Sequence, residues 1–279
     1  MTSRSKSFRG FFFAAGKVKK MVLKGFVSRA YKPIRNVFTF CFLLFTLCFF
    51  SNAHAMHPLI SDDAGTTGKG KFNLELNAEY ANDNGDSETQ IAATLSAGIR
   101  ENIDLVASVP YVFTRIDEGA RTLKEDGLSD ITLELKWRFY EKDGFSFALK
   151  PGIILPTGDE GKGLGDGKAA YSLHFLTSKE LDPVTLHLDL GYIKNGEELK
   201  DIRHYSLAVE YAVSKPLTLV ANIGGETNPD MESDVHPLFL LGGMLYKINE
   251  NFSVDLGFKT GLSKAEADYT VLTGIIVDF

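Results

Sequence analysis

The chain has 279 residues, too many for a mini-protein and a suitable length for one closed domain. Its two cysteines, Cys41 and Cys48, both lie near the N-terminus, so the rest of the chain has no disulfide or thiol chemistry. The formal net charge is −6 and becomes more negative once the basic N-terminal stretch is set aside, which excludes nucleic acid as a partner, since that requires basic surface.

Residues 1–55 read as a signal peptide. They hold ten Lys/Arg, from Arg4 to Arg35, and no acidic residue. The largely apolar run 37–50 is too short for an ordinary membrane-spanning helix. Ala53-His54-Ala55 forms an A-x-A cleavage site, which predicts export with cleavage after Ala55 and a mature start at Met56. Met1 and Met21 both stand as start codons, and Leu47 before Cys48 argues against a lipoprotein. Removing ten of the 30 Lys/Arg and none of the 36 Asp/Glu leaves a net charge of about −16.

Residues 56–70 form a polar, glycine-rich lead that alternates nowhere and is expected to act as a lead or plug segment. From residue 71 to 279 the chain alternates with a period of two in twelve segments: 71–80, 89–99, 103–113, 130–140, 144–156, 169–178, 184–194, 202–212, 217–225, 236–246, 252–262 and 269–279. The connections at 100–102, 141–143, 179–183, 213–216 and 247–251 are short. Those at 81–88, 114–129, 157–168, 195–201, 226–235 and 263–268 are longer. Short turns at one end and long loops at the other match a transmembrane antiparallel up-and-down β-barrel of about twelve strands, with both termini on the periplasmic side.

One parity of each strand is greasy, as in Phe72/Leu74/Leu76 and Ile131/Leu133/Leu135/Trp137/Phe139. The other is polar, as in Asn73/Glu75/Asn77/Glu79 and Thr132/Glu134/Lys136/Arg138. On the greasy parity the aromatics sort into two belts. Tyr80, Tyr111, Phe113, Tyr171, Tyr192, Tyr205, Phe258 and Tyr269 lie near the long loops. Phe72, Trp137, Phe139, Phe145, Phe147, Tyr211, Tyr246, Phe252 and Phe279 lie near the short turns. Two aromatic girdles around an aliphatic band suit a lipid-facing exterior, and closure satisfies every backbone group in lipid. The last strand carries Tyr269, Val271, Ile275, Val277 and the terminal Phe279 on one parity. An aromatic ending of this kind resembles that of outer-membrane barrels, whose assembly machinery reads it, so Tyr269 and Phe279 are the expected assembly signal.

Three stretches also resemble one family. HPLISDDAGTTGKGKFNLELNAEY (57–80), GLSDITLELKWRF (127–139) and PGIILPTGDEGKGLGDG (151–167) look like the meta-pathway phenol-degradation family of outer-membrane transporters. The resemblance implies a barrel transporter and supplies no catalytic residues. Its name points toward aromatic solutes without establishing phenol as a ligand.

The expected function is therefore passive diffusion of small solutes, aromatic or hydrophobic compounds among them, through a narrow charged lumen in the bacterial outer membrane. The lumen and selectivity residues are Glu75, Glu79, Glu134, Lys136, Arg138, Lys150, Glu210, Asp255 and Lys259. Across the bore, Glu75, Glu79, Glu210 and Asp255 are expected to face the basic row, where the charges either set up a transverse field that orients solutes or neutralise one another and hold the barrel's shape. A three-residue turn at 141–143 would place Glu134 opposite Lys150, whereas a five-residue turn would oppose Lys136 and Lys150, a disfavoured like-charge pair, so the first register is expected. In the lead, His57, Asp62 and Asp63 are the plug residues, and the two acids are expected to meet lumen cations such as Arg138.

The expected partners are outer-membrane lipid and lipopolysaccharide, the barrel-assembly machinery and a small-molecule solute. No cofactor and no metal site are expected. Gly161, Gly163, Gly165 and Gly167 lack the helix that a phosphate loop needs. His174, His187 and His204 read as lumen hydrogen-bonding groups. Two alternatives stand beside the channel. A phospholipase-like outer-membrane hydrolase needs a Ser-His pair with an orienting Asn on the lipid side, yet the strand histidines take the polar parity with no serine partner evident. A purely structural barrel predicts a blocked lumen.

Overall fold

The computed structural model describes residues 57–119 and 121–279. The expected signal peptide, 1–55, and Met56 lie outside the described residues. Thirteen strand segments follow in chain order: β1 (Phe72–Asp83), β2 (Asp86–Arg100), β3 (Ile103–Asp117), β4 (Thr122–Leu128), β5 (Ile131–Lys142), β6 (Phe145–Leu155), β7 (Ala170–Leu181), β8 (Val184–Lys194), β9 (Ile202–Ala212), β10 (Leu217–Glu226), β11 (Leu238–Asn249), β12 (Phe252–Gly261) and β13 (Tyr269–Asp278). Among the described residues the only helical element is one short 3-10 turn, Glu160–Lys162.

Every strand pairs antiparallel with its neighbours, and the ring closes where β1 meets β13. The thirteen segments fill twelve staves, because β4 and β5 share one. β5 pairs with the lower half of β3 and β4 with its upper half, and Ser129 N–H donates to Pro110 O between them. The seam is sealed at its end by Phe72 N–H to Phe279 O at 2.6 Å, with the return bond at 2.9 Å. The Phe72 and Phe279 rings stack outside it with centroids 5.6 Å apart.

The greasy parity faces outward. Leu76, Ile91, Leu105, Leu190, Leu207, Leu219 and Leu256 in mid-strand are each more than a third exposed, as are Phe72, Trp137, Phe139, Tyr211 and Tyr246 near the turns and Tyr80, Phe113, Tyr171, Tyr192 and Phe258 near the loops. A soluble monomer does not leave so continuous an apolar surface in water. A lipid-facing wall with aromatic girdles does, and the architecture is that of an outer-membrane β-barrel.

Two expected long connections are strand. Residues 81–88 are a tight hairpin, in which Asp83 pairs with Asp86 and only Asn84 and Gly85 turn. Both have positive φ, 51° and 97°, the conformation a two-residue I′ turn needs, and Asn-Gly is the residue pair that adopts it most readily. Most of 114–129 is also strand, because β3 and β4 continue their ladder past the apolar band to Asp117 and Thr122. Charged residues such as Lys124, Glu125 and Asp126 erase the alternation there, so the extension has no hydrophobic signature.

The β5–β6 register also differs from the expected one. Asp143 and Gly144, with φ of 54° and 73°, make a two-residue turn between Lys142 and Phe145. That turn alone would put the wrong faces together. A bulge between Arg138 and Tyr140 restores the parity, as an extra residue in one strand does, and turns both Phe139 and Tyr140 outward. Glu134 then pairs with Gly152, not Lys150. The flanking pairs Glu134–Gly152 and Trp137–Leu149 set Lys136 across from Lys150, the like-charge arrangement that pairing rules disfavour.

Candidate functional site

The lumen is shaped by residues 57–70, which lie inside the ring. The segment leaves β1 at the short-turn end. Gly70 N–H donates to Gly98 O at 2.8 Å, and Gly98 N–H donates to Lys71 O at 2.9 Å. Only glycine fits at 98, since a Cβ there would lie 1.7 Å from Gly68 O. Thr67 then donates twice to Asp104 Oδ2, from its N–H at 2.8 Å and its hydroxyl at 3.1 Å.

Farther in, Ala64 N–H donates to Ser178 Oγ at 2.9 Å, and Ala64 packs with Ala148 and Leu176. Ile60 and Ser61 N–H both donate to Asn222 Oδ1, at 2.8 and 3.1 Å. Leu59 packs on Ala208, Val220, Phe239, Leu241 and Leu272, apolar residues on the inward parity. His57 ends the described chain with Nδ1 at 2.6 Å from Asp255 Oδ1. Contacts from β2 round to β13 thus hold the lead across the bore.

Its charges meet opposite partners on two walls. Asp62 bridges β5 and β6, with Oδ1 at 2.7 Å from Lys136 Nζ and Oδ2 at 2.9 Å from Lys150 Nζ. Asp63 lies 3.6 Å from Lys136, and its Oδ1 accepts the Gly65 N–H. Glu134 closes the group at 2.7 Å from Lys150. Burial alone would raise the Asp62 pKa, but the two lysines outweigh it and hold the carboxyl below the usual carboxylate range. On the other wall, burial works against a charged His57. The Asp255 carboxylate, with Glu79 and Glu75 beyond it, reverses the sign and raises the imidazole above its ordinary value.

The remaining expected residues are scattered around the lumen. Arg138 does not meet the lead; its Nη2 pairs with Glu141 at 3.1 Å and donates to Glu101 O at 3.2 Å. The lead's acids reach Lys136 and Lys150 instead, which lie deeper in the bore. Glu210 Oε1 lies 3.5 Å from His187 Nε2, and Lys259 is buried against Glu266 at 2.7 Å. Glu75 accepts from Asn77 Nδ2 at 3.3 Å. Glu79 Oε2 is buried with no hydrogen-bond partner among the described residues.

Several lumen residues were not singled out from the sequence. Ser178 and Asn222 accept from the lead backbone, Ser206 Oγ hydrogen-bonds the Ser61 hydroxyl, and Glu266 reaches in from a long loop, where no parity assigns a direction. A cavity of about 200 Å³ lies beside Ile60, lined also by His174, His204, Glu226, Phe239 and Glu266. Ser178 does partner a strand histidine, with its Oγ 2.9 Å from His187 Nδ1. The pair faces the lumen rather than lipid and lies under Ala64.

Among solved structures, an outer membrane channel from Pseudomonas putida F1 is similar, with a TM-score of 0.61 at 12% identity over 81% of this chain and 100% of that one. The KdgM porin is similar at a TM-score of 0.53 and 8% identity, over 74% of this chain and 99% of that one. The NanC porin has a TM-score of 0.52 at 9% identity, over 73% of this chain and 98% of that one. Similarity at such identities establishes the shared barrel fold. No curated protein matches the sequence. The family described as "Putative MetA-pathway of phenol degradation" matches residues 57–279, the whole of the barrel and its lead, and the chain belongs to that family.

Proposed function

We propose that the protein is a passive outer-membrane channel for small solutes whose bore is narrowed by its own N-terminal lead. The observation that carries this reading is a polar lumen crossed by a segment held by ion pairs to both walls. Such a segment leaves space beside it rather than filling the ring. Twelve staves stand between eight-strand barrels filled by side chains and sixteen-strand barrels with wide channels, so a narrow bore is expected. The cavity beside Ile60, with Phe239, Pro237 and Ile193 among its walls, suits a small solute with an aromatic or hydrophobic body and a polar edge. The family's description, phenol degradation, supports the same solute class.

In this reading Glu134, Lys136, Lys150 and Asp255 set the field along the path, and His57, Asp62 and Asp63 fasten the plug. Residues 1–55 direct export and are removed after Ala55. Tyr269 and Phe279 present the ending that the assembly machinery reads, and lipid and lipopolysaccharide surround the girdles. A hydrolase reading gains nothing from Ser178 and His187, because the serine oxygen already accepts the Ala64 N–H inside the lumen.

Conductance in planar bilayers, with solute flux into liposomes, tests the reading. The intact mature chain should pass small solutes, and a chain lacking 57–70 should pass them faster. A lead-less barrel that folds and conducts no more than the intact one counts against the plug. No flux from either form favours a purely structural barrel.

A further inference from the structure

Lys136 and Lys150 oppose each other on adjacent strands, with side chains only 11% and 15% exposed. Like charges in directly opposed positions destabilise a sheet. The arrangement persists because one carboxylate reaches both ammonium groups, giving one oxygen to each. Glu134 supplies a single further negative charge, to Lys150. Without the lead Lys136 faces Asp104 across the β3–β5 ladder but, among the described residues, has no carboxylate within ion-pair distance, and Lys150 keeps only Glu134.

The bridging carboxylate does not belong to the wall. Asp62 is carried on the lead, and its own backbone is lightly held, its N–H giving one 3.4 Å contact to Asp189 Oδ2. The firm anchors lie on either side, Ile60 and Ser61 on Asn222 and Ala64 on Ser178. Leaving the lysines costs the Asp62 side chain those two ion pairs and the 2.7 Å bond that its Oδ1 accepts from the Asp63 N–H, and it frees none of these anchors.

We propose that Lys136 and Lys150 form a binding site for the carboxylate group of a small anionic solute, and that Asp62 occupies that site as a tethered surrogate. The proposal deepens the channel reading and rests on it for the route by which the anion arrives. It makes Asp62 a built-in competitor. A tethered group acts at an effective concentration of millimolar or more, so a free carboxylate displaces it only when abundant. The bore then favours carboxylates over neutral molecules of the same shape once the aspartate has swung away.

Calorimetric titration of the folded mature barrel in detergent tests this, with benzoate as the anionic probe and benzamide as its neutral counterpart. Folding is checked first by the heat-dependent shift of the band on a gel. In Asp62→Ala, benzoate should bind on the order of a hundredfold more tightly than in the intact protein, the gain from removing a tethered competitor. Benzamide should gain nothing, and adding Lys136→Met should abolish the benzoate gain. Equal benzoate affinity with and without Asp62, or equal gains for benzamide, overturns the proposal. If Asp62→Ala does not fold, Asp62→Asn takes its place, since its amide can satisfy only one lysine as an acceptor. Calorimetry reads the site without flux, so benzoate binding in a barrel that never conducts would sink the channel and leave the site standing.

Discussion

The two walls that hold the lead are built differently. The β5–β6 wall offers two lysines and takes a carboxylate from Asp62. The wall around β12 and β1 offers Asp255, with Glu75 and Glu79 beyond it, and takes an imidazole from His57. A field across the lumen is therefore matched by charges of the chain's own N-terminal segment. The basic wall is a like-charge pair made tolerable by a visitor. The acidic wall is a one-to-one pair within a carboxylate-rich surround. The first depends more heavily on its partner, because removing one side of a buried charge group leaves the other uncompensated.

Deleting 57–70 strips both walls at once and should have the largest effect. Single-channel conductance is expected to rise several-fold, and the barrel should unfold at lower temperature because its lumen charges lose their partners. Reversing the basic wall comes next. Lys136→Glu replaces the cation that pairs with Asp62 and Asp63 by a carboxylate and should cost about 3–5 kcal/mol in urea unfolding, with anion preference falling in surviving open pores. A reversed variant of undiminished stability would show that the lysines are not buried partners of the lead.

The acidic wall should respond less. Asp255→Asn keeps the shape and one acceptor and is expected to cost at most about 1.5–3 kcal/mol, the range for a hydrogen bond to a charged group. The same pair gives a pH dependence with a definite sign. The His57 pKa is raised in the folded protein, so its contribution is complete below the ordinary histidine value and is lost as pH rises through the raised one. Asp255, Glu75 and Glu79 are the charged groups that face it. Conductance should therefore grow from slightly acidic to alkaline pH in the intact protein and stay flat in His57→Ala. The smallest effect lies outside the comparison and calibrates it. Gly85→Ala forces a Cβ onto a turn residue with φ of 97° and should cost about 1–2 kcal/mol with no change in conductance.

Most of the barrel was legible in the sequence because lipid imposes a strict rule on alternate residues. The greasy parity, the belts and the five short turns follow from it. The sites that escaped are those where another rule took over. Asn84-Gly85 is a strong hairpin signal, but the flanking apolar alternation fades before it, at residues 81–88. The β5–β6 register followed a turn and bulge that no side-chain pairing argument could weigh, since its stabilising group, Asp62, lies about seventy residues upstream. The lead left traces in the strands, Leu176 under Ala64 and a larger group under Leu59. Val220, Phe239, Leu241 and Leu272 are apolar residues on the polar parity, and together they receive Leu59. Apolar residues pointing into a water-filled bore have no purpose unless something dry covers them.

The seam between β1 and β13 has a consequence for how the molecule is made. Its ladder joins residues 73–82 to 269–278, the longest separation in the sheet, so the ring shuts only when the final strand arrives. Contacts so far apart in sequence form late, because the loop they close is costly to order. The lead lies immediately upstream of the first strand, and a shut ring admits nothing through its side. It must either rest on the curved inner face while the wall is still an open sheet or be drawn in afterwards through the turn-side mouth. In the first course the polar segment serves as a template, with His57 and Asp62 drawing opposite walls toward each other before the last strand docks.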